Sequence, residues 1–221
     1  MRWIYRVGGM AALAIGVGYV AIIGLYVPMG APPHGAEARL AYIAGHTNAW
    51  WAILWLSVLT DLLFLPLALA LYEALHAVHR HAMMLAAIAM ALFVVLDLAL
   101  TWTNYAVLIE LSGRYADAGT RSTVVAMAAY PAQVVESNLL FVYNTLTLAV
   151  GILIAGAVML RGVFCNAVAW VGVATGVLGI ISVVGPVFAP ALSAAVVVTS
   201  TLTTVWTLMI GVRLLRLQAA P

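Results

Sequence analysis

The chain has 221 residues, of which 66% are hydrophobic and only 7% are charged. Soluble domains are about 45–50% apolar and about 25% charged, and a chain of this length must expose much of its surface. The composition therefore excludes an ordinary soluble domain and indicates a membrane protein surrounded by the lipid bilayer. The basic residues are dispersed arginines without a patch, so we expect no nucleic-acid partner.

Six segments are long and apolar enough to cross a bilayer as helices, since a span needs about 20 apolar residues and pairs its backbone amides internally. In chain order they are 7–27, 49–75, 82–111, 134–160, 163–184 and 192–215. The first span follows Arg2 and Arg6 as a secretory signal does, but it is too long for one and lacks a cleavage site before Pro28. The sequence thus predicts an all-α polytopic protein, one domain with six transmembrane helices in a single bundle.

Arginine placement predicts the orientation, because cytoplasmic loops carry an excess of basic residues. With the N-terminus inside, the inner side holds Arg2, Arg6, Arg80, Arg161, Arg213 and Arg216, and the outer side holds Arg39, Arg114 and Arg121. We therefore expect both termini on the cytoplasmic side of the membrane.

Two outer links are long enough to carry structure of their own. Residues 28–48 form the longest polar link, and 36–44 within it are predicted to form a short interfacial helix. In the second link, 112–133, the apolar segment 123–132 either lies along the membrane surface or extends the fourth span with Pro131 as a kink.

Metal and cofactor chemistry find little support in the sequence. The single cysteine, Cys165, excludes an intramolecular disulfide and a cysteine cluster. The histidines His76, His79 and His81 share one inner link, but no cysteine or well-placed carboxylate completes a metal site there. We expect a basic interfacial loop at that link, and neither a metal nor another cofactor.

Two carboxylates lie deep inside predicted spans. Asp61 stands roughly 18 Å into the second helix, and Asp97 reaches a similar depth in the third helix, which runs the opposite way. A charged aspartate at that depth costs about 2.5–3.5 kcal/mol on insertion scales, and no basic residue lies at the same depth in any span. The two acids are therefore either protonated or face an internal cavity that holds water, a cation or a substrate amine.

Helical spacing groups further polar residues with these acids. Asp97, Thr101, Asn104 and Tyr105 form one stripe of the third helix at i, i+4, i+7 and i+8. With polar faces on the second, fourth and sixth helices, they could surround one pocket that opens outward. The candidate ligand-binding residues are Asp61, Asp97, Thr101, Asn104, Tyr105, Glu136, Asn138, Tyr143 and Asn144. The competing interpretation is that such side chains join helices by hydrogen bonds worth about 0.6 kcal/mol each.

The segments TDLLFLPLALALYEAL (60–75) and VWTLMIGVRLLRL (205–217) are the most distinctive stretches. With the spacing of six spans and the long first outer loop, they resemble the bacterial membrane family called domain of unknown function 4386. That resemblance implies a compact six-helix protein of the bacterial inner membrane with a buried acid at Asp61. It implies no activity and no catalytic residue.

Three functions remain open at this level. The first is binding or transport of a small apolar or cationic molecule at the two acids. The second is an intramembrane enzyme that uses a buried carboxylic acid as a general acid on a lipid or isoprenoid. The third is an accessory subunit of a membrane complex or of a homo-oligomer.

Overall fold

The computed structural model describes residues 2–117, 119–137 and 141–219. Within those ranges every regular element is helical, which confirms the predicted all-α class. The α-helices are α1 (Arg2–Met29), α2 (Ala36–Gly45), α3 (Thr47–Leu96), α4 (Thr103–Arg114), α5 (Arg121–Glu136), α6 (Leu146–Met159), α7 (Asn166–Val184) and α8 (Ala195–Ala219). Shorter elements are π turns at Asp97–Trp102 and Phe141–Thr145, and 3₁₀ turns at Gly185–Val187 and Pro190–Ala194.

Helix α3 is a hairpin of two helical arms that meet at His79. The backbone of His79 leaves the helical region (φ −157°, ψ 87°), and its ring Nδ1 accepts the Ala82 amide at 3.2 Å, capping the second arm. Phe64 on the first arm packs against Phe93 on the second, with ring centroids 5.4 Å apart. Since His79 lies nearly midway between Phe64 and Phe93 in sequence, residues of the two arms that are equally far from His79 along the chain come together.

Four helices in the described ranges are long and apolar enough to cross a membrane. They are Trp3–Met29, Thr47–Arg114, Asn166–Val187 and Ala195–Gln218, and a further apolar helix, Tyr143–Met159, is shorter. The segment Thr47–Arg114 has 68 residues because it contains both arms of α3 together with α4. By length and composition these are the helices of a membrane protein.

The fourth predicted span, 134–160, begins later than its apolar composition indicates. Helix α5 ends at Glu136, and Ser137 takes an extended conformation (φ −79°, ψ 142°). The Ser137 hydroxyl donates to the Val134 carbonyl, which satisfies one of the last carbonyls of α5. The apolar helix that follows therefore starts after this break, as a separate element.

The long helices pack in a closed ring. Helix α1 contacts α3 and α8, α7 contacts α8 and α6, and α6 returns to α3. Small residues allow these approaches: a Cβ on Gly156 of α6 would lie 2.7 Å from the Val173 amide nitrogen of α7. The ring encloses a core that includes Phe64 and Trp206, both fully buried.

Helices α2, α4 and α5 form a smaller group, here called the cap, at one end of the ring. They share a second apolar cluster that includes Leu40, Leu108 and Ala128. The fully buried Trp50, near the start of α3, belongs to the same cluster and joins the cap to the ring.

Candidate functional site

One indole N–H joins the two deep acids. The Nε1 of Trp102 donates to Asp61 Oδ2 at 2.8 Å and to Asp97 Oδ2 at 3.2 Å. Both aspartates are buried, at 3% and 8% exposure respectively. The hairpin in α3 thus brings the predicted pair of acids together, although 36 positions separate them in sequence.

A π turn places Trp102 beside Asp97. In an α-helix a residue five positions on lies about 140° around the axis, and its side chain points elsewhere. The segment Asp97–Trp102 is π-helical, with the Thr103 amide and hydroxyl both donating to the Leu98 carbonyl. That i→i+5 pattern turns Trp102 back over Asp97.

Asn144 holds the other oxygen of Asp97. Its Nδ2 donates to Asp97 Oδ1 at 2.6 Å and to Thr101 Oγ1 at 3.1 Å. Its Oδ1 accepts the Thr145 amide at 2.6 Å, which fixes which end of the side-chain amide faces the acid. Asn144 itself lies in the second π turn, Phe141–Thr145. Both oxygens of Asp97 therefore accept N–H groups.

Asp97 and Asn144 form part of the wall of a cavity of about 320 Å³. The first arm of α3 contributes no side chain to this wall, whereas α1, which held no predicted site residue, contributes three. The lining residues are Tyr19, Ile22, Ile23, Phe93, Asp97, Asn144, Thr145, Leu148, Ala149, Ile152, Thr175, Val196, Thr199, Ser200, Thr203 and Thr204.

The α8 side of the cavity carries hydroxyl groups that already donate their hydrogens to backbone carbonyls. Thr199, Ser200, Thr203 and Thr204 each donate at 2.9 Å to the carbonyl four residues earlier in their own helix. Their oxygen lone pairs remain free to accept. The cavity therefore offers hydrogen-bond acceptors on the α8 side and the acid Asp97 on another.

The other predicted residues of the third helix lie outside the cavity wall. Thr101 accepts from Asn144, whereas Asn104 donates to the Leu100 carbonyl of its own helix at 2.6 Å. Tyr105 stacks on Trp50, with ring centroids 5.0 Å apart, and also contacts Trp102.

Among the described residues predicted on the fourth span, Asn144 lines the cavity, whereas Glu136 and Tyr143 do not. Tyr143 is 48% exposed, and Asn138 lies outside the described residues. Glu136 belongs to the cap: its Oε1 accepts the Gly35 amide at 2.9 Å and lies 3.3 Å from Nε of the buried Arg39. The Arg39 N–H does not point at that oxygen, so the contact is an ion pair without hydrogen-bond geometry.

Several site residues were not among the sequence candidates. Trp102 was missed as a hydrogen-bond donor because its distance of five positions from Asp97 matches no α-helical face. Tyr19 and Phe93 carry no polar signal that separates them from ordinary apolar packing. The α8 hydroxyls formed a visible stripe, but the stripe alone does not distinguish a cavity wall from a helix interface. Among the described residues, no group of three or more His, Cys, Asp or Glu side chains comes together to hold a metal ion.

These features define an all-α protein with the long apolar helices of a membrane protein and a buried acid pair beside an internal cavity. No family model, curated protein or solved structure matches the chain. The family resemblance drawn from the segments 60–75 and 205–217 stays a prediction.

Proposed function

We propose that the protein binds a small molecule or a cation in the central cavity and carries it across the membrane. The observation behind this proposal is the position of Asp97, a buried carboxylate that lines the cavity while two N–H donors hold its oxygens. Ionisable groups at membrane depth commonly mark substrate or ion pathways, because their burial is otherwise costly.

The topology we propose has six spans with both termini in the cytoplasm of a bacterial cell. The spans are α1, the two arms of α3 (the second continuing into α4), the apolar segment Tyr143–Met159, α7 and α8. The arginine distribution along the loops supports this orientation. It places the cap on the outer side and His79 on the inner side.

The contacts of the acids favour binding over general acid catalysis. A general acid needs a carboxyl O–H that reaches the substrate directly or through one water. Both Asp97 oxygens accept N–H groups, which complement a negative charge, and Asp61 does not line the cavity. A carboxylate held in this way is suited to attract a cation.

Uptake into proteoliposomes tests the proposal. The probes are radiolabelled sodium, rubidium and methylammonium, measured with wild-type protein and with Asp61→Asn, Asp97→Asn and Glu110→Gln. Glu110 pairs with Arg114 on the exposed surface of the cap, so its variant is a matched control for the loss of a carboxylate. We expect uptake of at least one probe with wild type and Glu110→Gln, and loss of that uptake with Asp97→Asn. Equal uptake with wild type and both aspartate variants would contradict a role for the acids.

A further inference from the structure

We propose that the ligand of the cavity is a lipophilic monovalent amine, with its ammonium group at Asp97 and its apolar body between α1 and α8. This inference rests on the proposed function and names the class of ligand. It follows from the charge of the acid pair, the groups around Asp97, and the size and opening of the cavity.

The acid pair fits one positive charge. The Asp61 and Asp97 side chains share the Trp102 N–H, which donates to Oδ2 of each acid. Two buried carboxyl groups that meet at one N–H repel each other when both are charged, so the arrangement favours one proton on the pair. Among the described residues neither acid forms an ion pair with arginine or histidine. The pair with one proton carries a single negative charge, which a monovalent cation neutralises.

The groups that line the cavity together with Asp97 suit an ammonium ion. The hydroxyl oxygens of Thr199 and Thr203 line the same cavity and are free to accept hydrogen bonds, since their own hydrogens point to backbone carbonyls. Tyr19 and Phe93 add two aromatic rings to the wall, and such rings attract cations across their faces. The cavity thus combines hydroxyl acceptors and aromatic rings with one carboxylate.

The volume and lining of the cavity fit a ligand that carries an apolar body beside its ammonium group. The cavity of about 320 Å³ lies at the low end of the roughly 300–1,000 Å³ typical of small-molecule pockets. Much of the rest of its wall is aliphatic and includes Ile22, Leu148 and Ile152. A bare sodium or potassium ion would leave most of this apolar space unfilled.

The cavity opens between α1 and α8. Farther from the cap the two helices touch closely, since a Cβ on Gly16 would lie 2.5 Å from the side chain of Leu208. Nearer the cap, Ile23 of α1 and Ser200 of α8 both line the cavity and are both exposed at the surface of the ring. An amphipathic ligand could enter through this gap from the lipid, with its charged end leading toward Asp97.

The test is a comparison of near-isosteric ligands that differ in charge. Phenylbutylamine, phenylbutanol and phenylbutyrate are titrated calorimetrically, alongside sodium and potassium chloride, into purified wild-type protein in one detergent. The same titrations are made with Asp97→Asn, with Ser200→Phe, which narrows the opening with an apolar ring, and with the control Glu110→Gln. We expect the amine to bind wild type and Glu110→Gln at least about tenfold more tightly than it binds Asp97→Asn, and more tightly than either isostere binds wild type.

The possible outcomes of these titrations test the ligand class, the assignment to this cavity and the proposed function separately. Binding of sodium or potassium that depends on Asp97, without a preference for the amine, overturns the ligand class and leaves the proposed function standing. Amine binding that is equal in wild type, Asp97→Asn and Ser200→Phe overturns the assignment to this cavity. Absence of any Asp97-dependent binding overturns both proposals. If Asp97→Asn does not fold, the ligand series on wild type and the Ser200→Phe variant still decide.

Discussion

The side-chain amide of Asn144 donates a 2.6 Å hydrogen bond to the carboxyl of Asp97, across 47 positions of sequence. Both residues lie in π turns, one between α3 and α4 and the other directly before α6. Such turns occur often at functional sites because they redirect side chains without ending the helix. Here the two turns meet at the wall of the cavity, where Asp97 is a buried acid.

Replacing Trp102 by phenylalanine removes the N–H that the two acids share. Because two buried carboxyl groups lose a donor, we expect the protein to lose about 2 kcal/mol or more of stability, measured by denaturation in detergent. The control is Trp55→Phe, since Trp55 is 66% exposed on the outside of the ring and should change stability by less than about 0.5 kcal/mol.

A double-mutant cycle shows whether the stability lost in Trp102→Phe comes from the hydrogen bonds to the two acids. In a background of Asp61→Asn and Asp97→Asn, we expect Trp102→Phe to cost at least about 1 kcal/mol less than in wild type. Identical costs in the two backgrounds would show that the indole matters only for packing.

Gly156→Ala should force α6 and α7 apart. The new Cβ would lie 2.7 Å from the Val173 amide nitrogen and 2.9 Å from the Gly172 carbonyl carbon, and backbone atoms cannot move aside as a side-chain end can. We expect a loss of about 1–3 kcal/mol in unfolding free energy. Gly24→Ala is the matched control, because a Cβ there meets no atom within 4 Å and alanine favours the helix by up to about 1 kcal/mol. Equal effects at the two glycines would contradict the close approach.

Glu136→Gln should destabilise the cap, because it leaves Arg39, which is 5% exposed, without its negative partner. A broken buried ion pair costs about 3–5 kcal/mol, and we expect about 2–3 kcal/mol here since Glu136 is itself partly exposed. Thermal unfolding of the purified protein measures the change. Glu110→Gln breaks the exposed pair with Arg114 and should cost less than about 0.5 kcal/mol. A loss at Glu136 no larger than at Glu110 would count against a buried pair.

The contact between α2 and α5 should weaken in acid. Hydrogen bonds from Arg121 and then from Tyr115 lower the pKa of the exposed Glu37 carboxyl below its ordinary value. A carboxyl with a lowered folded-state pKa stabilises the fold above its unfolded pKa, and this contribution is lost as the pH falls through the folded pKa. We therefore expect the distance between α2 and α5 to vary more widely in that acidic window than at neutral pH, while their apolar cluster keeps the two helices in contact.

Spin-label distances can follow this acid response within the cap. Ala44 of α2 and Met127 of α5 are exposed labelling positions, and Cys165→Ser removes the single native cysteine. Glu37→Gln in the same labelled background should give a smaller change between neutral and acidic pH than Glu37 does. The same pH response in both proteins would assign the change to other groups.

Cysteine labelling tests the proposed orientation. Cys165, directly before α7, is exposed, and six spans with cytoplasmic termini place it on the inner side. A membrane-impermeant maleimide should therefore label it in inverted vesicles and spare it in intact spheroplasts. In a Cys165→Ser background, Asp117→Cys should show the reverse pattern, since the link between α4 and α5 then lies outside. Labelling of both positions from one side would exclude this topology.

Some features of the fold follow from sequence because they depend on one helix at a time. Apolar composition over long segments identifies the all-α membrane protein, and a short helix expected over 36–44 corresponds to α2. The similar depth of Asp61 and Asp97 also follows from counting residues along two antiparallel helices. The break at Ser137 does not follow, because a serine in an apolar segment gives no strong signal for an extended conformation.

The sequence by itself determined the apolar composition typical of a membrane protein, the all-α class, and the depth of the two acids within their helices. These properties depend on hydrophobicity and helical rise, which act along one segment at a time. Only the tertiary structure decided which groups surround those acids. The π turns rotate Trp102 and Asn144 onto Asp97, and glycine contacts set how closely α1 and α8 approach. Those outcomes depend on the packing of several helices at once, and no periodicity along a single helix encodes them.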